Sequence, residues 1–149
     1  MTQFKIVMLL IATSALLGAC VEERYPNGHK YITITNKSDI DIGFQVWMGN
    51  QTFFCDPSRP GGYPYVFVVR IDSSYNHYIT DNHRLVSWEV FLDKGQIITI
   101  PIVNQEVFYQ YWTQSCDTIR KYVPILHRYE LKLEDLERMN WTVVYPPIE

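Results

Sequence analysis

The clearest pattern in the chain is an alternation of apolar and polar residues with a period of two. In 40–46 every second residue is apolar, and in 31–35 the same alternation places Ile32 and Ile34 on one face. A period of two is typical of a strand that buries one face and exposes the other. Because the intervening residues 36–39 are polar turn formers, the two strands are predicted to pair as a hairpin.

The remaining apolar segments are short and are separated by turn-forming residues. Further strands are predicted where β-branched and aromatic side chains concentrate, at 51–54, 65–71, 77–80, 96–102, 128–133 and 141–145. Two short helices are predicted at 117–122 and 134–139, the segment 105–112 fits a helical turn, and 85–92 fits either a strand or a helical turn. The pattern predicts a single, mainly β domain, an antiparallel β-sandwich with two short C-terminal helices. A small α+β domain is the alternative.

The N-terminus has a different pattern. An apolar run from Ile6 to Leu17 follows the basic Lys5 and ends in Leu17-Gly18-Ala19-Cys20. The run is shorter than the ~20 residues that span a membrane and suits the apolar region of a signal peptide. A small-small-Cys ending is typical of a bacterial lipoprotein signal, so we expect a signal peptide at 1–19, a lipidated tether at 20–30 and a globular domain at 31–149. A buried N-terminal helix is the alternative.

Charge narrows the range of partners. The chain has 13 Lys and Arg against 16 Asp and Glu, a net charge of −3, and loss of Lys5 with the signal peptide would make it −4. A mildly acidic domain lacks the basic surface that nucleic acids require. It would not be drawn to an anionic membrane either, so membrane attachment is expected to depend on the lipid on Cys20.

The cysteines allow one disulfide. If Cys20 carries lipid, Cys55 and Cys116 remain, and thiols outside the cytosol tend to be oxidised. A Cys55–Cys116 disulfide would close a loop of about 60 residues and stabilise the fold by ~4 kcal/mol in the chain-entropy model. Two buried free thiols are the alternative.

Four C-terminal segments carry a resemblance: Ser87–Glu89, Asp117–Tyr122, Arg128–Leu131 and Met139–Pro146. With the lipobox, they resemble a family of small Bacteroidetes lipoproteins. The resemblance implies an outer-membrane lipoprotein and no particular activity. Glu22-Glu23 resembles the acidic export signal of surface-exposed members of that lineage, with a solvated linker as the alternative. Asp117-Thr118-Ile119 resembles an O-glycosylation site of the same lineage, which makes Thr118 the candidate acceptor, or else the exposed start of a helix.

Residues that could carry catalysis are present without a defined motif. His77, Asp81 and His83 with Asp72 contain metal-ligand types, but their spacing matches no metal motif, so we expect neither a metal nor a cofactor.

Two other sets would suit an enzyme. Cys116 with His127 would suit a nucleophile and its base, and Glu89 with Asp93 would suit a glycoside hydrolase if the carboxylates lay ~5–10 Å apart. Neither set forms a recognisable motif, so the sequence favours a non-enzymatic protein.

Aromatic residues are the best candidates for binding. The chain has 11 Tyr, 4 Trp and 7 Phe. Tyr63 and Tyr65 flank a loop rich in proline and glycine, where we expect them to be exposed, and a second aromatic run covers 108–112. Exposed rings stack on sugars or hold peptides. The sequence therefore favours a lipid-anchored envelope protein that binds a glycan or protein partner, with a glycan-active or other hydrolytic lipoprotein as the alternative.

Overall fold

Strands outnumber helices in the computed structural model of the chain, which describes Tyr25 and residues 27–49, 64–81, 83–93 and 95–147. The strands are β1 (Tyr31–Asn36), β2 (Ile42–Phe44), β3 (Trp47–Met48), β4 (Phe67–Val69), β5 (Ser74–Asp81), β6 (Arg84–Val86), β7 (Ile98–Asn104), β8 (Ile125–Leu131) and β9 (Thr142–Tyr145). The helices are α1 (Trp88–Leu92), α2 (Gln105–Tyr111), α3 (Cys116–Tyr122) and α4 (Leu133–Arg138). The predicted signal peptide, Cys20, the strand at 51–54, Cys55 and Tyr63 lie outside the described residues.

The first sheet has the order β6-β5-β1-β9. Its central strand β1 runs antiparallel to β5 and parallel to β9. Ile32 and Ile34 are fully buried, while Thr33 and Thr35, which alternate with them, are half-buried on the other face. The alternation predicted for this strand is confirmed.

The second sheet is built around β7. β8 pairs with one edge of β7. Both β2 and β3 pair with the other edge in the same register, so residues 42–48 run along β7 as one interrupted strand. β4 pairs with β2 on its far side. Gly43 allows a close approach here, because a Cβ atom on it would lie 2.8 Å from Cγ2 of Val66.

The predicted hairpin between the first two strands is wrong, because β1 and β2 belong to different sheets. The buried Asn36 explains the crossing. Its amide nitrogen donates to the carbonyl oxygens of Ile40 (2.7 Å) and Val69 (3.1 Å), and its Oδ1 accepts from the backbone N–H of Ser38. These bonds fix a turn that carries the chain from one sheet to the other.

The main core lies between the two sheets and contains inward side chains of both, among them Ile32, Ile34, Ile98, Ile100, Ile102 and Val143. A second, smaller core lies under α2 and α3 and contains Val66, Val103, Phe108, Ile119 and Val123. The fold is therefore mainly β and sandwich-like, as predicted.

Two predicted helices are confirmed to within a residue at their starts, as α3 and α4. The segment 105–112, predicted as a helical turn, is the helix α2. The segment 85–92 is both strand and helix, because β6 ends at Val86 and α1 begins at Trp88. α2 follows β7 directly, and the side chain of Asn104 caps it by accepting from the N–H of Val107 at 3.0 Å. No helix in the described ranges is long and apolar enough to cross a membrane.

Candidate functional site

The outward surface of the first sheet is the most extensive candidate. Strand registers place ten side chains on it, a surface we call the open face: Tyr31, Thr33, Thr35, Ser74, Asn76, Tyr78, Thr80, Leu85, Thr142 and Val144. None of these ten residues is buried and none is charged. The surface follows from the sequence alternation, because every second residue of each strand faces the same way.

Neighbouring side chains on the open face hold one another. The rings of Tyr31 and Tyr78 lie 6.2 Å apart at an interplanar angle of 83°. Thr33 Oγ1 donates to Asn76 Oδ1 at 2.9 Å, which directs the amide nitrogen of Asn76 away from Thr33. Tyr31 and Tyr78 remain 45% and 50% exposed, so both rings project from a largely flat surface.

The open face has a charged border at one end and a pocket at its side. Beyond the end of β1, Lys37 Nζ lies 3.3 Å from Oδ1 of Asp72. Along β9, a pocket of 340 Å³ is lined by Tyr129, Met139, Thr142, Val144 and Pro147. Thr142 and Val144 belong to both surfaces, so the pocket opens directly beside the open face.

Tyr129 forms the inner wall of this pocket. Its hydroxyl donates to the carbonyl oxygen of Val144. Burial, with a smaller effect of Tyr145, raises the pKa of Tyr129 to about 12. The phenol therefore stays protonated and keeps the β9 backbone in place beside the pocket.

A second arrangement joins Glu89 to His29. The backbone N–H of His29 donates to both carboxylate oxygens of Glu89 at 3.0 Å, and Nδ1 of His29 lies 2.7 Å from Oε1. The imidazole also stacks on Trp141 at 4.1 Å between ring centroids. Gly28 fits closely, because a Cβ atom on it would lie 2.7 Å from Oε2 of Glu89.

Burial would raise the pKa of Glu89, but the hydrogen bonds from His29 outweigh that effect and hold the pKa below its ordinary value. Glu89 is therefore an ionised, mostly buried carboxylate that joins the end of the predicted tether to α1. Sequence reasoning missed His29, because 60 positions separate it from its partner and no local pattern connects them.

The proposed pairing of Glu89 with Asp93 for glycoside hydrolysis has a different outcome. Asp93 is exposed at the end of α1, where its backbone N–H donates to the carbonyl oxygen of Glu89. Both carboxylate oxygens of Glu89 accept from the backbone N–H of His29. These bonds join α1 to the segment that precedes β1.

The histidines considered for metal binding are not brought together. His77 faces the core and packs against Phe67 (4.8 Å), Trp88 (5.9 Å) and Phe44 (6.0 Å) between ring centroids. His83 is exposed in the turn between β5 and β6. Among the residues described, no three His, Cys, Asp or Glu side chains are grouped to hold a metal ion.

The remaining candidates lie near α3. Cys116 carries a free, half-buried thiol in the first turn of that helix, while Cys55 lies outside the described residues, so their disulfide stays a prediction. Thr118 is half-buried, and its hydroxyl lies 2.9 Å from that of Ser115, the residue that caps the helix. His127 packs its ring on Tyr129 at 4.4 Å.

Exposed aromatic residues also occur away from the open face. Tyr65 is 65% exposed, as expected, and its ring meets that of Phe67 at 5.5 Å. Within the aromatic run at 108–112, Phe108 is in the core, whereas Tyr109 and Trp112 are exposed. The helical period of α2 points Tyr109 away from Phe108, because adjacent residues of a helix point in different directions, and Trp112 lies just beyond the end of α2.

No family model, no curated protein and no solved structure matches this chain.

Proposed function

We propose that this protein is a lipid-anchored component of the bacterial cell envelope that binds a partner through the open face. A lipid on Cys20 would hold it in the outer membrane, and the domain would act as a binding or complex-supporting module without catalysis. The lipobox and the resemblance to small Bacteroidetes lipoproteins support the location. The open face supports the binding function.

The observation that carries the binding function is the exposed pair of tyrosines on the uncharged open face. A half-exposed tyrosine presents apolar ring area together with a polar hydroxyl group, and binding surfaces are enriched in this residue. Tyr31 and Tyr78 stand on adjacent paired strands, and strands position side chains more accurately than loops do. The arrangement offers a partner a rigid surface that needs little reordering on binding.

The hydrolytic alternative would need ionisable groups that converge in a pocket. Glu89, the carboxylate for which that role was considered, is hydrogen-bonded to His29 through both oxygens. Among the residues that the structure describes, Tyr129, Met139, Thr142, Val144 and Pro147 line the 340 Å³ pocket, a set suited to binding. These positions favour a binding module over a hydrolase.

Cosedimentation of the purified domain with isolated cell envelopes tests this function. The double variant Tyr31→Ala/Tyr78→Ala should lower the affinity roughly tenfold or more, because truncating an anchor residue typically costs more than ~1 kcal/mol.

The matched control is Tyr122→Ala/Leu126→Ala, which removes two exposed large apolar side chains elsewhere on the surface. The control should bind like the wild type, and both variants should show the wild-type unfolding transition. Equal affinity of the wild type and the open-face variant would refute the proposal.

A further inference from the structure

We propose that the partner of the open face is a neutral glycan. This inference rests on the proposed binding function and specifies its ligand. Three features support it: the absence of charge on the open face, the hydrogen-bonding groups of that face and the pocket beside it.

The first feature is the absence of charged side chains on the open face. Charged residues make up 19% of the chain, yet none of the ten side chains on the open face is charged. The ion pair of Lys37 with Asp72 lies at its border. Charged and polar groups across an interface are usually arranged to complement each other, and like or unpaired charges are penalised. A surface without charge therefore fits a partner without charge.

The second feature is the kind of polar group on the open face. Six of the ten side chains carry an aliphatic hydroxyl or an amide: Thr33, Thr35, Ser74, Asn76, Thr80 and Thr142. Ser is depleted in protein–protein interfaces, and both Ser and Thr are under-represented among their energetic hot spots. Hydroxyl and amide groups both donate and accept hydrogen bonds, which suits a ligand made of hydroxyl groups. A sugar is therefore a better match than a protein surface.

The hydrogen bonds within the open face prepare these groups for a ligand. Thr33 donates its hydroxyl proton to Asn76, so its oxygen remains as an acceptor, and the amide nitrogen of Asn76 keeps donors for another partner. Thr35 and Ser74 share one hydrogen bond at 2.8 Å, which leaves one hydroxyl proton and further lone pairs available. The two tyrosine rings add apolar area for the C–H groups of a sugar ring.

The third feature is the pocket beside β9. Its volume of 340 Å³ falls within the ~300–1,000 Å³ range of small-molecule sites. Thr142 and Val144 join it to the open face, so a chain of sugar units lying across the sheet can place one unit in the pocket. Met139 and Pro147 supply apolar contact there, and Thr142 supplies a hydroxyl group.

Affinity gel electrophoresis of the full-length lipoprotein in detergent tests this inference. The gels contain either a neutral polysaccharide (dextran, α-mannan, mixed-linkage β-glucan or galactan) or an acidic one (alginate or polygalacturonate). We expect retardation by at least one neutral polysaccharide, insensitive to added salt because no charges are involved. Tyr31→Ala/Tyr78→Ala and Asn76→Asp should each weaken it roughly tenfold, since the second places a carboxylate beside Thr33. The control Tyr122→Ala/Leu126→Ala should be retarded like the wild type.

Three results would overturn the inference. The first is retardation only by the acidic polysaccharides, and the second is equal retardation of all variants. The third is absence of retardation by every neutral polysaccharide while the domain still binds envelopes through the open face, which leaves the proposed function intact. A protein partner or a second copy of the chain would produce that third result, and concentration-dependent dimers lost in Tyr31→Ala/Tyr78→Ala would identify the second copy.

Discussion

His77 illustrates how its surroundings determine the charge of one residue. It lies opposite Ile32 in the β1–β5 ladder and is surrounded by Phe44, Phe67 and Trp88. Burial lowers the pKa of His77 from 6.5 to about 4. The folded protein therefore keeps a neutral imidazole in its aromatic core over a pH range in which the unfolded chain is already protonated.

This difference predicts a pH dependence of stability. Below pH 6.5 the unfolded state binds a proton that the folded state excludes until about pH 4, so the free energy of unfolding falls as the pH decreases between these values. The loss attributable to His77 should approach ~3 kcal/mol. In His77→Phe this component should disappear, which urea denaturation at a series of pH values will show. His83→Asn, in the exposed β5–β6 turn, serves as the control and should keep the wild-type slope. A parallel decline in wild type and His77→Phe would contradict the assignment.

Glu89 shows which contacts single residues cannot predict. The sequence places Asp93 nearby, whereas the carboxylate of Glu89 is hydrogen-bonded to His29, 60 positions away. Tyr65 was placed correctly as exposed, because a loop rich in proline and glycine is a local signal. Partners that meet only in the folded state leave no such signal.

At the scale of elements, the Glu89 interactions form a joint between three parts of the chain. His29 contributes the end of the N-terminal segment, Glu89 belongs to α1, and Trp141 precedes β9. The backbone N–H of Trp88 adds a bond to the carbonyl oxygen of His29 at 2.9 Å. The joint closes one end of the sandwich.

Glu89→Gln should destabilise the fold by roughly 1.5–3 kcal/mol, the usual contribution of hydrogen bonds to a charged group. The oxygen of the new side-chain amide can accept a bond from His29. Its NH₂ group would face the backbone N–H of His29, which is also a donor. Because the pKa of Glu89 is lowered in the folded state, the carboxylate stabilises the fold above its unfolded-state pKa of about 4.5, and this contribution is lost as the pH falls through the lower folded-state pKa.

The difference between variant and wild type should therefore shrink in acid, and chemical denaturation at neutral and acidic pH measures it. Glu130→Gln, at an exposed position on β8, is the control and should change stability by less than ~0.5 kcal/mol. If Glu89→Gln is no less stable than this control, the joint does not stabilise the fold.

Strands were easier to predict than their pairing. A period of two predicted one buried face for each of the first two strands. This period is correct for β1 but wrong for β2, whose three residues are all buried, as is the adjacent Gln45. It carried no information on neighbours, so the parallel pairing of β1 with β9 could not be foreseen. The wrong prediction of a hairpin has the same cause, because the amide nitrogen of Asn36 donates to the carbonyl oxygen of Val69, which is distant in sequence.

At the scale of the whole molecule, the open face emerges only when these pairings are known. Its side chains come from four strands, and in β1, β5 and β9 they alternate with residues that are more buried or that face the core. The sequence pattern predicts that such polar positions face solvent. Their assembly into one uncharged surface depends on the strand order β6-β5-β1-β9, which brings the ends of the domain together.

The joint at His29 also sets the distance between the domain and the proposed membrane anchor. Eight residues lie between Cys20 and His29, so nine Cα–Cα steps let the anchor and the joint lie at most ~30 Å apart. A domain held this close would present the open face near the membrane. That geometry applies only if Cys20 carries the lipid.

Metabolic labelling with a fatty acid tests the anchor. The wild-type protein should incorporate the label and migrate at the mass expected after removal of residues 1–19, because the peptidase that recognises a lipobox acts on the lipidated cysteine. Cys20→Ala should incorporate no label and keep its signal peptide. Cys55→Ala and Cys116→Ala are matched controls, since each removes one thiol and leaves Cys20 in place, and both should be labelled like the wild type. Labelling that persists in Cys20→Ala, or that disappears in Cys116→Ala, would show that the lipid is attached elsewhere and that the domain is not held through Cys20.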